Sequence, residues 1–344
     1  MAKKARVAIN GFGRIGRLFF RQSFHKPDIE VVAINDLGDL ENLAYLLKYD
    51  TVYRRFDEEV HADAAKGVLI VGGREIAVSQ VRDPKDLPWK ELGVDIVVEA
   101  TGVFTKFELA RAHIAAGAKR VVITAPAKDE DGTLGKTVLM GINEKELKTV
   151  ELSSNASCTT NAVSPVIQIM MENPGVEKAI LTTVHGYTAT QNLVDGPARG
   201  KKDVRRGRAA AQNIIPSTTG AAKATARAIP ALEGKFDGIA MRVPVVAGSV
   251  ADVTFLAKRK VSADEINQIF KEAAASPRWK GIFKVTEDPI VSSDIIGEEY
   301  GAIVDLRFTR VVDGNLVKVL SWYDNEAGYV STLVKHVQNV AALV

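Results

Sequence analysis

The order of apolar and polar positions divides the chain into two halves with different patterns. In the first half, short β-branched runs alternate with helical patterns, which is typical of a parallel sheet covered by helices on both faces. Gly72 and Gly73 separate two further short runs and predict a two-residue hairpin. The predicted strands are 6–9, 30–34, 68–71, 75–78, 95–99 and 120–124, and the predicted helices are 14–24, 40–48 and 106–116.

The second half has longer runs with partial alternation, which favour a largely antiparallel sheet with helices on one face. Asp313, Gly314 and Asn315 predict a hairpin turn between the last two strands. Ser262 is a predicted N-cap with Glu265 at the capping-box position. The predicted strands are 179–184, 238–246, 250–257, 302–311 and 316–323, and the predicted helices are 262–275 and 325–343. The segment 187–214 is loop-like, and a loop of this length is usually functional.

Length, charge and cysteine content narrow the class of protein. A chain of 344 residues is expected to form about two domains, and its 45 basic and 42 acidic residues give a net charge of only +3. This balance does not indicate nucleic acid as a primary partner. The single cysteine, Cys158, excludes an internal disulfide and a multi-thiolate metal site, so we predict no metal. We find no signal-peptide core or membrane-spanning run, and we expect a cytoplasmic protein without a membrane partner.

A glycine-rich signature near the start of the chain predicts a dinucleotide site. Residues 11–16 read GFGRIG between a predicted strand and a predicted helix, and Asp36 ends the next strand 20 residues after Gly16. The glycines let the backbone approach a pyrophosphate, which the free N–H groups of a helix N-terminus bind. Asp36 would accept hydrogen bonds from the adenosine ribose and repel a 2′-phosphate, which favours NAD over NADP. The alternative is that the glycines serve packing alone.

Cys158 is the main candidate for covalent chemistry. It lies in the segment 153–161 (SSNASCTTN), directly before a helical pattern, where the helix dipole is expected to lower the pKa of the thiol. A thiolate adds to an aldehyde to give a hemithioacetal, hydride loss to NAD then gives a thioester, and both steps need an adjacent base. Of the five histidines, only His185 follows an apolar strand and precedes a polar run. The alternatives, a buried structural thiol and a hydrogen-bonded strand-end histidine, stay open from these residues alone.

Six segments extend this interpretation to nearly the whole chain. They are NGFGRIGR (10–17), SNASCTTN (154–161), HGYTATQ (185–191), IIPSTTGAAKA (214–224), MRVP (241–244) and SWYDNEAGY (321–329). In sequence, order and spacing, they resemble the phosphorylating glyceraldehyde-3-phosphate dehydrogenase family. The resemblance implies an α/β fold, with an N-terminal Rossmann domain of residues 1–154 that is joined by the C-terminal helix 325–344. An α+β catalytic domain of residues 155–324 would contain the largely antiparallel sheet.

The resemblance also implies the roles of individual residues. Cys158 would be the nucleophile and His185 its base. Residues that would bind the substrate phosphate are Thr188, Arg206 and Arg242, and those that would bind inorganic phosphate are Ser157, Thr159, Thr219 and Gly220. Residues that would bind NAD are Gly11, Gly13, Arg14, Ile15, Gly16, Asp36, Arg82, Thr101, Thr124 and Asn325. The family is typically a homotetramer, so we expect that assembly here.

The chain departs from the family pattern at three places. Ala162 replaces a second cysteine, which removes a local disulfide partner from Cys158. Ala327 replaces a tryptophan, which concerns the packing of the final helix. Because of the insertion at residues 199–202, the alignment assigns Arg206 only to within about one residue.

Two other functions compete with glyceraldehyde 3-phosphate oxidation. Erythrose-4-phosphate dehydrogenase has nearly the same motifs, but water rather than phosphate resolves its thioester. A non-catalytic RNA-binding relative would use the basic residues Lys201, Lys202, Arg205, Arg206 and Arg208, although such a run is usually a solvated or intersubunit surface.

Overall fold

The computed structural model describes residues 4–198 and 203–344, which form two compact units. The first unit contains the described residues up to 156 together with 333–344, and the second contains those between 157 and 332. The insertion at 199–202, with Lys201 and Lys202, lies outside the described residues. The domain bounds drawn from the sequence stay a prediction.

The first unit is built on a mostly parallel sheet. Its described strands are β1 (Ala5–Asn10), β2 (Ile29–Asn35), β3 (Tyr49–Asp50), β4 (Arg54–Arg55), β5 (Val60–Asp63), β6 (Val68–Val71), β7 (Arg74–Ser79), β8 (Ile96–Glu99), β9 (Arg120–Ile123), β10 (Gly135–Thr137) and β11 (Leu152–Ser154). Nine of these described strands form one sheet in the order β10-β11-β9-β8-β1-β2-β7-β6-β5, while β3 pairs with β4. Neighbours are parallel from β10 to β7, and β6 and β5 are antiparallel. All four residues of β8 are buried, which is typical of a strand with both faces covered.

The predicted hairpin between β6 and β7 is confirmed. Gly72 and Gly73 have φ angles of 52° and 78°, the left-handed conformation that both central residues of a tight hairpin turn require. Their lack of a side chain therefore explains why the chain reverses here.

The first two helices of this half are α1 (Arg14–Ser23) and α2 (Leu40–Lys48), as predicted. The single helix predicted over 106–116 is wrong, because the structure has two short helices there, α3 (Phe107–Ala110) and α4 (Ala112–Ala115). Ile114 N donates to Arg111 O, a three-residue spacing that tightens the turn and interrupts the regular helix.

The second unit is built on a largely antiparallel sheet, as predicted. Its described strands are β12 (Val176–Gly186), β13 (Ile215–Thr218), β14 (Phe236–Val243), β15 (Ser249–Ala257), β16 (Phe283–Thr286), β17 (Ala302–Val312) and β18 (Leu316–Tyr323). Their order is β13-β14-β12-β15-β18-β17-β16, with parallel pairing at β12–β14 and β16–β17. Burial alternates strictly along β15, because one side of this strand packs in the core. Asp313 and Gly314, with φ of 48° and 74°, form the predicted turn between β17 and β18.

The remaining helices are α5 (Cys158–Glu172), α6 (Ala221–Ala228), α7 (Ala263–Ala275) and α8 (Ala327–Ala341). Ser262 caps α7 as predicted, since its side chain accepts from Glu265 N. In residues 4–198 and 203–344, none of the helices has the length and hydropathy needed to span a membrane.

Candidate active site

Cys158 is the first residue of α5, and the local sequence explains why the helix begins there. The side chain of Ser157 caps the helix by accepting from Thr160 N at 3.1 Å. A helix start leaves backbone N–H groups without an intrahelical acceptor, so the half-buried thiol lies beside donors that can bind an oxyanion. The predicted position of Cys158 at a helix N-terminus is confirmed.

His185 lies directly opposite this thiol. It is the penultimate residue of β12 and is only 2% exposed, and its Nε2 is 3.3 Å from Sγ of Cys158. The structure thus brings the predicted nucleophile and the predicted base into contact, although they are 27 residues apart in the chain.

Tyr323 supports the ring of His185, and the sequence reasoning missed it. The two rings pack edge to face with centroids 5.8 Å apart. The buried hydroxyl group of Tyr323 hydrogen-bonds Oγ1 of Thr159 at 2.9 Å and Oγ1 of Thr183 at 2.7 Å. The hydroxyl group of Thr159 therefore has a partner in the protein. Tyr323 lies in the SWYDNEAGY segment, which is the signal that could have found it.

The other nitrogen of His185 has two competing partners. Nδ1 lies 2.6 Å from the carbonyl oxygen of Gly186 and 2.6 Å from Nη1 of Arg242. The carbonyl requires a proton on Nδ1, whereas the guanidinium group requires a lone pair there. With the proton on Nδ1, Nε2 presents its lone pair to the thiol and can accept the thiol proton. With Arg242 donating to Nδ1, Nε2 carries the proton and can donate to a thiolate or an oxyanion.

Burial and the charge of Arg242 set the protonation of this pair. Burial, assisted by Arg242, lowers the pKa of His185 to about 3, so the imidazole is neutral near pH 7. Burial raises the pKa of the Cys158 thiol above its ordinary value, although Arg242 and the N–H of Thr159 act in the opposite direction. The low thiol pKa expected from the sequence is therefore wrong for this structure, because the helix start is a poorly solvated environment. Activation of the thiol then depends on proton transfer to His185.

Two of the predicted phosphate ligands, Arg242 and Arg206, act on His185, and the third, Thr188, follows it in the chain. The parallel register of β12 and β14 places Arg242 opposite His185. Arg206, in a short helix at 204–207, donates to Oγ of Ser217 at 2.7 Å, and its charge also lowers the pKa of His185. Thr188 donates its backbone N–H to Oε1 of Gln191 at 2.8 Å.

Two buried donors near these residues have no hydrogen-bond partner among the described residues: Nε of Arg242 and Nε2 of Gln191. An unsatisfied buried donor is costly, so its presence at a site indicates that a ligand supplies the acceptor. Gln191 was missed by the sequence reasoning, and its place in the HGYTATQ segment was the available signal. The two donors suit an anion such as a phosphate.

The residues predicted to bind inorganic phosphate lie at two helix starts. Ser157 and Thr159 are at the start of α5, and Gly220 is the N-cap of α6. Thr219 precedes that cap, and its hydroxyl group accepts from Ala221 N at 3.2 Å. The structure therefore places these four residues on two separate elements, each with the donors of a helix N-terminus.

A pocket of about 360 Å³ in the first unit matches the predicted dinucleotide site. Five predicted residues line it: Gly11, Gly13, Asp36, Arg82 and Thr101. A Cβ atom at Gly11 would lie 2.6 Å from Thr101 N, whereas one at Gly13 would meet nothing within 4 Å. Gly13 is also the N-cap of α1 and has no side chain to satisfy the helix start. The backbone is thus open to a pyrophosphate here, and the residues present fit a dinucleotide.

Asp36 is held in place by the backbone. Its two carboxylate oxygens accept from Phe12 N at 2.7 Å and Gly38 N at 2.8 Å. Arg14 pairs through Nη1 with Asp50 at 2.5 Å, and its backbone N–H lies at the start of α1. Ile15, Gly16 and Thr124 are not among the residues that line the described pocket.

Asn325 belongs to the second unit and is 5% exposed. Its Oδ1 accepts from Gly248 N at 3.1 Å and from the hydroxyl group of Ser249 at 2.9 Å. These two donors fix which side of the carboxamide is oxygen, so the orientation of the group is determined.

Comparison with known proteins identifies the family of the chain. Residues 5–107 match the family model "Glyceraldehyde 3-phosphate dehydrogenase, NAD binding domain", and residues 157–325 match the C-terminal domain of the same family. Glyceraldehyde-3-phosphate dehydrogenase from Streptomyces coelicolor is 52% identical over 332 residues, which are 96% of each chain. The enzyme of the same name from Geobacillus stearothermophilus is 50% identical over 94% of each chain. The chain therefore belongs to the glyceraldehyde-3-phosphate dehydrogenase family, NAD-dependent oxidoreductases that act on an aldehyde group.

Proposed function

We propose that the protein converts D-glyceraldehyde 3-phosphate, inorganic phosphate and NAD to 1,3-bisphosphoglycerate and NADH, a reaction of glycolysis and gluconeogenesis. The observation that carries this proposal is the 3.3 Å contact between Sγ of Cys158 and Nε2 of His185, beside the cationic Arg242. A thiol and a neutral base in contact are the arrangement that covalent catalysis on an aldehyde requires.

The reaction begins at this pair. His185 accepts the proton of Cys158 on Nε2, and Sγ forms a bond to the aldehyde carbon. The electron pair of the C=O double bond moves to oxygen, where the backbone N–H groups at the start of α5 and the protonated His185 stabilise the oxyanion. The product of this step is a hemithioacetal.

Bound NAD supplies the hydride acceptor for the next step. Loss of a hydride from the hemithioacetal carbon and of the hydroxyl proton to Nε2 of His185 leaves a thioester on Sγ of Cys158. An oxygen of inorganic phosphate then bonds to the thioester carbon, the C–S bond breaks, and Cys158 leaves as a thiolate that recovers a proton. The acyl phosphate is thus the product, and the cysteine returns unchanged.

Two sets of donors hold the phosphate groups. Arg242, Thr188 and Arg206 bind the phosphate of the substrate, which supplies an acceptor to the buried Nε of Arg242. Ser157, Thr159, Thr219 and Gly220 bind inorganic phosphate through the N-termini of α5 and α6.

NAD binds through the glycine-rich turn and through Asp36, whose fixed carboxylate accepts from the adenosine ribose and repels a 2′-phosphate. We propose the same cofactor role for Arg14, Ile15, Gly16, Arg82, Thr101, Thr124 and Asn325. The fixed carboxamide of Asn325 presents the nicotinamide with a group of defined orientation.

We further propose a cytoplasmic homotetramer. The sheet of the second unit leaves apolar side chains exposed, among them Ile180 at 60% and Ile239 at 47%, and apolar surface of this kind is typical of a subunit interface. A catalytic thiol also has to stay reduced, which the cytoplasm ensures. Light scattering coupled to size-exclusion chromatography tests the assembly, and a monomeric mass would contradict it.

A steady-state assay tests the activity. With glyceraldehyde 3-phosphate and NAD, formation of NADH should depend strictly on added inorganic phosphate, and the Cys158→Ser variant is the control. Turnover of the four-carbon sugar erythrose 4-phosphate without phosphate would support the erythrose-4-phosphate alternative instead. A Cys158→Ser variant with unchanged activity would exclude both.

A further inference from the structure

The described part of the long loop between β12 and β13 closes on itself. Its first arm is residues 188–196, and its second arm is residues 206–210. Asn192 N donates to Arg206 O at 3.2 Å, and Ala210 N donates to Asn192 O at 3.0 Å. Backbone hydrogen bonds therefore join the two arms.

A close contact between two glycines joins the arms at a second point. Gly196 N donates to Gly207 O at 2.9 Å. Gly207 is buried, and a Cβ atom there would lie 2.2 Å from Gly196 O. A side chain at 207 would therefore push the arms apart, so the distance between them requires glycine at this position.

Asp195 joins the arms through its side chain. Its Oδ1 accepts from Ala209 N at 2.8 Å, and its Oδ2 accepts from Nε of Arg208 at 2.7 Å. The N–H of Ala209 and the charge of Arg208 hold the pKa of this carboxyl group below its usual value, so it is ionised near pH 7. Both side chains of the ion pair are more than half exposed, and such a pair contributes little by itself. The bond to the backbone of Ala209 is therefore the one that fixes the second arm.

The joined arms carry two of the residues that we propose to bind the substrate phosphate. Thr188 starts the first arm, where Gln191 N donates to Thr188 O at 2.9 Å and Oε1 of Gln191 accepts from Thr188 N at 2.8 Å. Arg206 starts the second arm, and its Nη2 donates to Oγ of the buried Ser217 on β13. Because Gln191 precedes Asn192, which is bonded to Arg206 O, these contacts connect Thr188 to Arg206.

Arg206 needs this support because it lies near other positive charge. Burial lowers the pKa of His185 and of Arg242, and the charge of Arg206 lowers each of them further. Two cations repel each other, so an arginine on a loop without cross-links would favour positions farther from Arg242. Holding both guanidinium groups in place before an anion arrives reduces the cost of binding it.

We propose that Asp195 is a positioning residue for the substrate phosphate: by joining the second arm to the first, it holds Arg206 near Arg242 before the substrate binds. This inference rests on the proposed function, since it requires that Arg206 bind that phosphate. Asp195 acts through the backbone of the loop and does not need to contact the substrate.

Steady-state kinetics with two substrates tests the proposal. Asp195→Ala removes the bond to Ala209 N, and KM for glyceraldehyde 3-phosphate should rise by roughly three- to tenfold, the range that corresponds to the loss of one hydrogen bond. The value of kcat should change by less than about twofold, because the reactive pair is untouched. Unphosphorylated glyceraldehyde presents no phosphate to Arg206, so its kcat/KM should stay within about twofold of the wild-type value. The side chain of Asp195 is more than half exposed, so the variant should fold.

Three matched variants identify which contact matters. Asp195→Asn keeps an oxygen for Ala209 N and loses the charge, so it should restore KM to within about twofold of the wild-type value. Arg208→Met removes the ion pair alone and should leave KM unchanged. Gly207→Ala leaves every charge in place but forces the arms apart, so KM should rise as in Asp195→Ala. A raised KM in both Asp195→Asn and Arg208→Met would assign the effect to charge and overturn the proposal.

The outcomes separate this inference from the function on which it rests. Wild-type protein that forms no NADH from glyceraldehyde 3-phosphate and phosphate would contradict the proposed function. An active wild-type protein whose KM is unchanged in Arg206→Met would overturn the inference alone, because Arg206 would then not bind the substrate phosphate. Equal losses for both substrates in Asp195→Ala would show a general role in folding or assembly and would also overturn the inference alone.

Discussion

The two units each bury a histidine at a site, but the hydrogen bonds of the two rings differ in kind. His113, in the first unit, has the indole donor of Trp89 at Nδ1, and at Nε2 it has the carboxylate of Glu99 at 3.0 Å, with Nδ2 of Asn10 farther away at 3.4 Å. His185, in the second unit, has two competing partners at Nδ1 and a thiol at Nε2. The hydrogen bonds of the first ring favour one tautomer, whereas those of the second allow its proton to lie on either nitrogen.

This difference explains what each unit does. A dinucleotide pocket needs a constant shape and charge, and fully matched hydrogen bonds provide both. A base has to gain and lose a proton in each cycle, and the competition at Nδ1 keeps both neutral forms of His185 accessible. The predictions below test this contrast, in the order of their expected effect on activity.

The largest effect is expected at the reactive pair. Cys158→Ala should abolish turnover, and His185→Asn should lower kcat by about 10²–10⁴-fold, because proton transfer to a base is lost. His113→Gln is the matched control in the other unit, and its kcat should stay close to the wild-type value. A similar loss of kcat in the two histidine variants would contradict the conclusion that only the ring of His185 takes part in proton transfer.

Arg242 should affect substrate binding more than chemistry. Arg242→Met removes a buried charged donor, and hydrogen bonds of charged groups contribute about 1.5–3 kcal/mol, so KM for glyceraldehyde 3-phosphate should rise by roughly 10- to 150-fold. The variant should also raise the pKa of His185, since Arg242 is one of the groups that lower it. Steady-state kinetics measures the first effect and NMR titration the second. Arg208→Met, which removes an exposed arginine paired with Asp195, is the control and should change neither value.

Tyr323→Phe should have a smaller effect on activity. The variant keeps the ring that packs on His185 but loses the hydrogen bonds to Thr159 and Thr183. We expect kcat to fall by less than about tenfold and unfolding to become easier by about 1–3 kcal/mol, since each lost bond contributes about 0.5–1.5 kcal/mol. A loss of kcat as large as that of His185→Asn would assign Tyr323 a direct part in the reaction.

His336 should affect stability in acid without affecting activity. This fully buried ring contacts Ser153 and Asn155, and burial lowers its pKa to about 3. As the pH falls from about 6.5 toward 3, the unfolded chain binds a proton that the folded ring does not, so the free energy of unfolding decreases. Relative to His336→Gln, the wild-type protein should lose about 2–3 kcal/mol more between pH 7 and 4.5.

Urea denaturation at the two pH values measures this difference. His25→Gln, at a side chain that is 70% exposed, is the surface variant measured beside it. Equal pH dependence in wild-type protein and His336→Gln would show that burial does not keep the ring neutral.

The sequence predicts the elements well because its patterns are local. Alternating and continuous apolar runs identify β8, β15 and β18, and glycine pairs or Asp–Gly identify the turns. The same local signals fail at Arg111, where a hydrogen bond to the residue three positions later interrupts the regular helix.

The site is predicted in part. A strand-end position and a helix start identify His185 and Cys158, but the resemblance to a family was needed to pair them. Tyr323 contacts a residue 164 positions earlier in the sequence, and a pattern of neighbouring residues cannot predict a contact over that separation. The raised pKa of Cys158 also depends on burial by the folded chain, so a helix N-terminus alone gives the wrong direction.

The turn between β1 and α1 has a consequence for how the protein ages. Asn10 precedes Gly11, the pair that loses ammonia most readily when the glycine nitrogen is free to attack the asparagine side chain. In the folded chain, Gly11 N donates to Asn35 O, while the carboxamide of Asn10 is held by Asn35 and Glu99. These hydrogen bonds oppose deamidation in the folded chain, and deamidation after unfolding would leave an isoaspartate or an aspartate at position 10, beside Glu99. Two carboxylates at that point repel each other on refolding, so each thermal excursion would leave a fraction of the protein permanently damaged.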